Sequence, residues 1–93
     1  LIKKQLQLIK NGMITSEQIR GARAMLGFTQ AELATAAGIS TTGLNNIERG
    51  TADPKASTLR SIQDALEAAG VIFIEGAYSG TGGPGVRLVS KSG

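Results

Sequence analysis

Positions 41 to 49 read Thr-Thr-Gly-Leu-Asn-Asn-Ile-Glu-Arg, and the polar members of that run share one kind of chemistry. An Asn carboxamide donates and accepts side by side, so it can bond the N6 and N7 edge of adenine in two places. A Thr hydroxyl does either and offers its methyl to thymine, and Arg suits guanine or a phosphate. At about 100° per residue, Leu44, Ile47, Glu48 and Ser40 share one side of a helix through this run. Thr42, Asn46 and Arg49 share the opposite side, with Asn45 and Thr41 flanking them. The outward face is polar and uncharged apart from Arg49, which makes Thr41, Thr42, Asn45 and Asn46 candidate base readers. Arg49 and Lys55 flank the turn that follows and are candidate phosphate contacts, with Arg60 and Arg20 after them. Glu48 falls on the inward side, where an unpaired carboxylate is costly.

Other chemistries have little to build on. The 93 residues contain neither His nor Cys, which removes disulfides, thiolate or imidazole metal sites and every imidazole-based triad. No metal, cofactor or enzymatic activity is expected. Gly80-Thr81-Gly82-Gly83-Pro84-Gly85 matches the G-x-G-x-x-G dinucleotide fingerprint. That fingerprint requires a following helix in a βαβ unit, and only eight residues remain, so a loop is the better reading. The net charge of +3 is accounted for by Lys3, Lys4 and Lys10, because the remaining five Arg and two Lys balance five Glu and two Asp. Affinity for a polyanion must therefore come from where charges sit, not from their sum. The longest wholly apolar run is Val71 to Ile74, far short of a membrane span. A cytoplasmic, nucleoid-associated protein without a membrane partner is the expectation.

The elements that would position the 41–49 run are marked by their caps. Thr15 with Gln18 and Thr29 with Glu32 form capping boxes, and Ser40 is a third N-cap, with Gly43 where an acidic or amide residue would complete the box. Ile14 with Ile19, Phe28 with Leu33 and Ile39 with Leu44 are spaced as hydrophobic staples. Gly27, Gly38, Gly50 and Gly70 supply the stops. Four helices follow, at about 16–26, 30–37, 41–49 and 57–69, with Asp53-Pro54 and Ser57 as rival starts for the last. Leu59, Ile62 and Leu66 give that helix one apolar stripe. After Gly70 the period changes, and Val71 to Ile74 and Val86 to Val89 read as a β-hairpin around a glycine-rich loop. Ile2, Leu6 and Ile9 place one apolar face on a short fifth helix in the first twelve residues. That segment is either a basic amphipathic arm touching DNA or a partner, or an addition before a domain that begins at Met13.

Gln30 to Arg49 leaves only Gly38, Ile39 and Ser40 for a turn between two helices, which is a helix-turn-helix arrangement. Ala34 is small enough for the helices to cross closely, and Leu33, Ala37, Ile39, Leu44 and Ile47 fall where the pair must bury side chains. The stretch Phe28-Thr29-Gln30-Ala31-Glu32-Leu33-Ala34, through Gly38-Ile39-Ser40, to Ile47-Glu48-Arg49-Gly50 closely resembles the lambda-repressor and Cro-like regulators, also called xenobiotic-response-element-type. The resemblance covers about residues 15–70, and the tail with its Gly-Pro-Gly-Val-Arg-Leu segment is similar to an extension of small bacterial members. It implies a mainly α, four-to-five-helix DNA-binding domain with a C-terminal β-hairpin. It further implies that Thr41, Thr42 and Asn46 approach base edges, that Gln30 touches the DNA backbone and braces the reading helix, and that Glu48 pairs with Arg23. Gly43 departs from the Ser or Thr usual in the family, at about 1 kcal/mol of helix propensity and one potential DNA contact.

The functional expectation is a sequence-specific double-stranded DNA-binding regulator, a repressor or autoregulator, that inserts helix 41–49 into the major groove. It would bind a palindromic operator as a homodimer joined through residues 71–89, where an apolar two-stranded sheet has an unpaired edge. The rival for the hairpin is a lid over a monomer's core. The alternative function is an antitoxin-type module that binds a toxin and its own promoter. The domain reading is a leader at 1–12, the helix-turn-helix domain at 13–70 and the hairpin at 71–93.

Overall fold

The computed structural model describes residues 13–74 and 83–89. Its order is α1 (Ser16–Leu26), α2 (Gln30–Ala37), α3 (Thr41–Glu48), α4 (Ala56–Ala68), β1 (Val71–Ile74) and β2 (Gly85–Leu88). The amphipathic arm and the first part of the 80–85 glycine motif lie outside the described residues.

The caps set the first three helix starts. The Thr15 hydroxyl accepts from the Gln18 amide at 3.1 Å while the Gln18 side chain accepts from the Thr15 amide at 2.8 Å. Thr29 and Glu32 repeat the exchange at 3.0 and 2.8 Å. Ser40 accepts from the Gly43 amide at 2.9 Å. A Ser or Thr cap of this kind stabilises by about 1 kcal/mol. The stops at Gly27, Gly38 and Gly50 share one geometry, with φ of 74°, 73° and 76°. In the turn between α2 and α3, Gly38 N–H donates to Thr35 O and Ile39 N–H to Ala34 O. That pairing of the last helical carbonyls depends on the left-handed residue, which only glycine adopts without strain.

The start of α4 differs from both expected caps. The N-cap is Lys55, with no side-chain cap bond. Asp53 lies two residues before it and Ser57 lies within the first turn, where its carbonyl accepts from Ser61 Oγ. Tertiary burial of the Leu59, Ile62, Leu66 stripe, not a local cap, sets this boundary: Ile62 and Leu66 are fully buried and Leu59 packs on the core.

Ile19, Ala22, Leu33, Ala34, Leu44, Ile47, Ile62 and Leu66 make one core with Ile14 and Val71. Full burial of a large aliphatic side chain stabilises by about 1.5–3 kcal/mol. All three staple pairs contribute to this core. α2 packs on α4 and on α3, and α1 touches α3, α4 and β2.

The hairpin is antiparallel, with Val71 opposite Leu88 and Ile74 opposite Gly85. β2 therefore begins one residue earlier than its apolar run, since Gly85 closes the last rung. Beyond Leu88, Val89 N–H still donates to Gly70 O at 2.7 Å. Val71, Phe73 and Val86 pack on the helical core, so one face of the hairpin covers it, while Ile72, Leu88 and Val89 stay exposed. Gln18, buried at the first turn of α1, donates its amide at 3.0 Å to both Ile74 O and Gly85 O. One side chain thus serves a helix cap and clips the hairpin at its loop-side rung.

Candidate nucleic-acid interface

α3 lies with one side sealed and the other open. Leu44, Ile47 and Glu48 are buried, Asn45 and Gly43 are half-buried, and Thr41, Thr42, Asn46 and Arg49 are exposed. Among the described residues, the side chains of Thr41, Thr42, Asn45, Asn46 and Arg49 enter no internal hydrogen bond, so their donors and acceptors face solvent.

The sealed side is held by a charged group. Glu48 is 2% exposed and its carboxylate accepts three bonds: Arg23 Nε at 2.9 Å, Arg23 Nη2 at 3.0 Å and Gln30 Nε2 at 3.1 Å. The two guanidinium bonds are the bidentate fork that suits a carboxylate. Arg23 spends Nη1 on Phe28 O at 3.0 Å, which ties the end of α1 to the start of α2. One carboxylate on α3 is thereby joined to α1 and α2, and no described buried side-chain polar atom lacks a partner.

Gln30 is half-buried at the first position of α2. The bond to Glu48 uses one amide proton; the orientation is fixed, because turning the amide oxygen toward the carboxylate would bring two acceptors together. The second amide proton remains for an outside acceptor. Lys55 is exposed where α4 begins, seven residues from α3. Arg60 is exposed on α4, which packs on α2, α1 and β1.

Two residues with no assigned structural part in the sequence reach α3 from α1. Ser16 Oγ donates to Ile47 O at 2.7 Å, and Arg20 Nη1 donates to Glu48 O. Both contacts span about thirty positions and have no local pattern to announce them. Gln18 was legible as a cap but not as the hairpin's clip, for the same reason.

The arrangement can present a rigid, polar helix face to a groove about as wide as a helix, with cationic side chains at its carboxyl end. It offers no cluster of His, Cys, Asp or Glu that would hold a metal among the described residues. No described helix is long and apolar enough to cross a membrane. A family model described as helix-turn-helix matches residues 19–68, which run from α1 to the last residue of α4. No curated protein matches the chain. The chain belongs to the helix-turn-helix family, of the Cro and lambda-repressor type, a family of DNA-binding transcriptional regulators.

Proposed function

We propose that the protein is a sequence-specific regulator, a repressor or autoregulator, that lays α3 in the major groove and reads bases with Thr41, Thr42 and Asn46, with Asn45 at the edge. The observation that carries this reading is the outer face of α3: four short polar side chains with unspent hydrogen-bonding groups, on a helix whose inner face is fixed by Glu48. In this reading the exposed Arg49 and Lys55 meet phosphates beyond the carboxyl end of α3, and the second amide proton of Gln30 meets another. Arg60, exposed on α4, is a further candidate phosphate contact. Phosphate contacts supply affinity and orientation, and the α3 face supplies discrimination.

The same reading has the protein act as a homodimer on a two-fold operator. Support comes from Ile72, Leu88 and Val89 of the hairpin and Met25 of α1, each 43–46% exposed. Met25, Leu88 and Val89 line one shallow groove of about 330 Å³ with Leu26, Ala69 and Gly70. Residues Gln18, Gly21 and Met25 run along the flank of α1 that faces the hairpin, whereas Ser16, Arg20 and Arg23 run along the flank that faces α3. A partner on the apolar groove leaves the reading face open. That partner is a second copy for a repressor and a toxin for the antitoxin-type alternative.

Selection of bound duplexes from a random DNA library tests the reading. A palindrome with half-sites a whole number of helical turns apart supports a dimeric base reader. Recovery of no preferred sequence overturns base reading, and a single half-site overturns the dimer. Sedimentation of the purified protein separates the partners, since a monomer that dimerises with nothing favours the antitoxin-type alternative.

A further inference from the structure

The carboxyl end of α3 is satisfied carbonyl by carbonyl. Asn45 O accepts from Arg49 N–H, and Asn46 O from Thr51 N–H and Thr51 Oγ1. Ile47 O accepts from Gly50 N–H and also from Ser16 Oγ, at 2.7 Å. Glu48 O accepts from Arg20. The first two are closed within the segment that follows α3. The last two receive side chains from α1, four residues apart and therefore one turn apart on one flank of that helix.

This is more than the helix needs to end. The Gly50 turn closes the chain within the segment itself, and the remaining carbonyls of a surface helix end can be met by water without any long-range side chain. Ser16 and Arg20 instead fix α3 at Ile47 and Glu48, one and two residues beyond Asn46 and just before Arg49. The Arg23 and Gln30 bonds to the Glu48 side chain fix the same turn from the inner side. With the turn at Gly38 to Ser40 on one end and these four groups on the other, α3 is held at both ends. Arg20 also places a cation against the negative end of the α3 dipole.

We infer that Ser16 and Arg20 are positioning residues for base reading: they set the angle at which α3 enters the groove, and Arg20 serves DNA binding through α3, not through a phosphate. The inference rests on the reading of α3 as the base-reading helix. A pivot at the carboxyl end displaces Asn46 more than it displaces the phosphate-facing groups on flexible stems. Loss of either residue therefore reduces discrimination and leaves the number of phosphate contacts unchanged.

The experiment uses the full chain, a duplex carrying the site recovered by selection and a random-sequence duplex of equal length. Affinities are measured for wild type, Arg20→Ala, Arg20→Lys and Ser16→Ala between about 50 and 200 mM salt, the range over which phosphate contacts show, well below each variant's melting temperature. For Arg20→Ala the ratio of specific to random affinity falls roughly tenfold, the scale of one lost base contact, and the slope of log affinity against log salt stays at the wild-type value. Ser16→Ala, a smaller and uncharged change, shifts the ratio in the same direction, and Arg20→Lys recovers part of it. A slope reduced by about one, with both duplexes weakened alike, makes Arg20 a phosphate contact and overturns the inference. A lowered melting temperature with an unchanged ratio makes both residues merely structural and also overturns it. If wild type itself fails to discriminate, the base-reading proposal has failed first and the inference falls with it.

Discussion

Replacing Glu48 by Ala tests the account of how α3 is held. The substitution removes a carboxylate that is 2% exposed and accepts three bonds, two from Arg23 and one from Gln30. The Gln30 amide is half-buried and can turn to water, so its loss is small. The guanidinium keeps its bond to Phe28 O, but its Nε and Nη2 lose their partner. Breaking a buried ion pair from one side costs about 3–5 kcal/mol, because the other charge is stranded. The Arg23 side chain is 25% exposed, so water offsets part of that cost and the low end, about 3 kcal/mol, is expected. In a domain of this size that lowers the melting temperature by about 12–24 °C. Thermal denaturation followed by circular dichroism reads it directly. Replacing both partners, Arg23→Met with Glu48→Leu, removes the stranded charge and costs less than Glu48→Ala alone. A Glu48→Ala protein that melts within about two degrees of wild type, or a double variant that is the less stable of the two, refutes the reasoning.

Gly38→Ala destabilises by about 1–2 kcal/mol from backbone strain alone, since φ is 73° and no atom lies within 4 Å of the added methyl; urea unfolding measures it. Gly43→Ala recovers less than the roughly 1 kcal/mol its helix propensity promises, because the new Cβ meets Ser40 Oγ at 3.0 Å and crowds the cap; the same unfolding series checks the sign. Gln18→Ala costs about 1–3 kcal/mol through the unpaired carbonyls and the lost cap, and amide exchange shows the loss concentrated at Ile74, Gly85 and the first turn of α1. Ile72→Lys with Val89→Lys leaves the melting temperature near that of wild type and lowers the dimer fraction in sedimentation, whereas an unchanged dimer moves the interface elsewhere.

Legibility in the sequence follows the range of each interaction. The capping boxes at Thr15 and Thr29, the Ser40 cap and the glycine stops act over three to five residues, and the first three helices appear where those signals put them. The outer face of α3 is legible because a period of 3.6 needs only the local order of polar and apolar residues. α4 begins without a side-chain cap, so Asp53 and Ser57 mislead where the buried stripe decides. Ser16, Gln18 and Arg20 each act across 28 to 67 positions, and only the packing of α1 between α3 and the hairpin brings their partners to them. The hairpin's first residue, Val71, is 2% exposed, so cutting the chain after Gly70 would open the core as well as remove a possible interface. Side-chain substitutions on the outer surface separate those two effects.

The central claim is that the α3 face reads bases. Its most direct measurement compares wild type with Asn46→Ala on the selected site and on every single-base-pair change within one half-site. Wild type should lose about 1–3 kcal/mol at each pair it reads. Asn46→Ala should lose its preference at one pair, bind the parent site about 1–3 kcal/mol more weakly and bind random DNA nearly as before. Equal weakening on the parent site and on random DNA, with every base preference intact, would contradict the claim and make Asn46 a backbone contact.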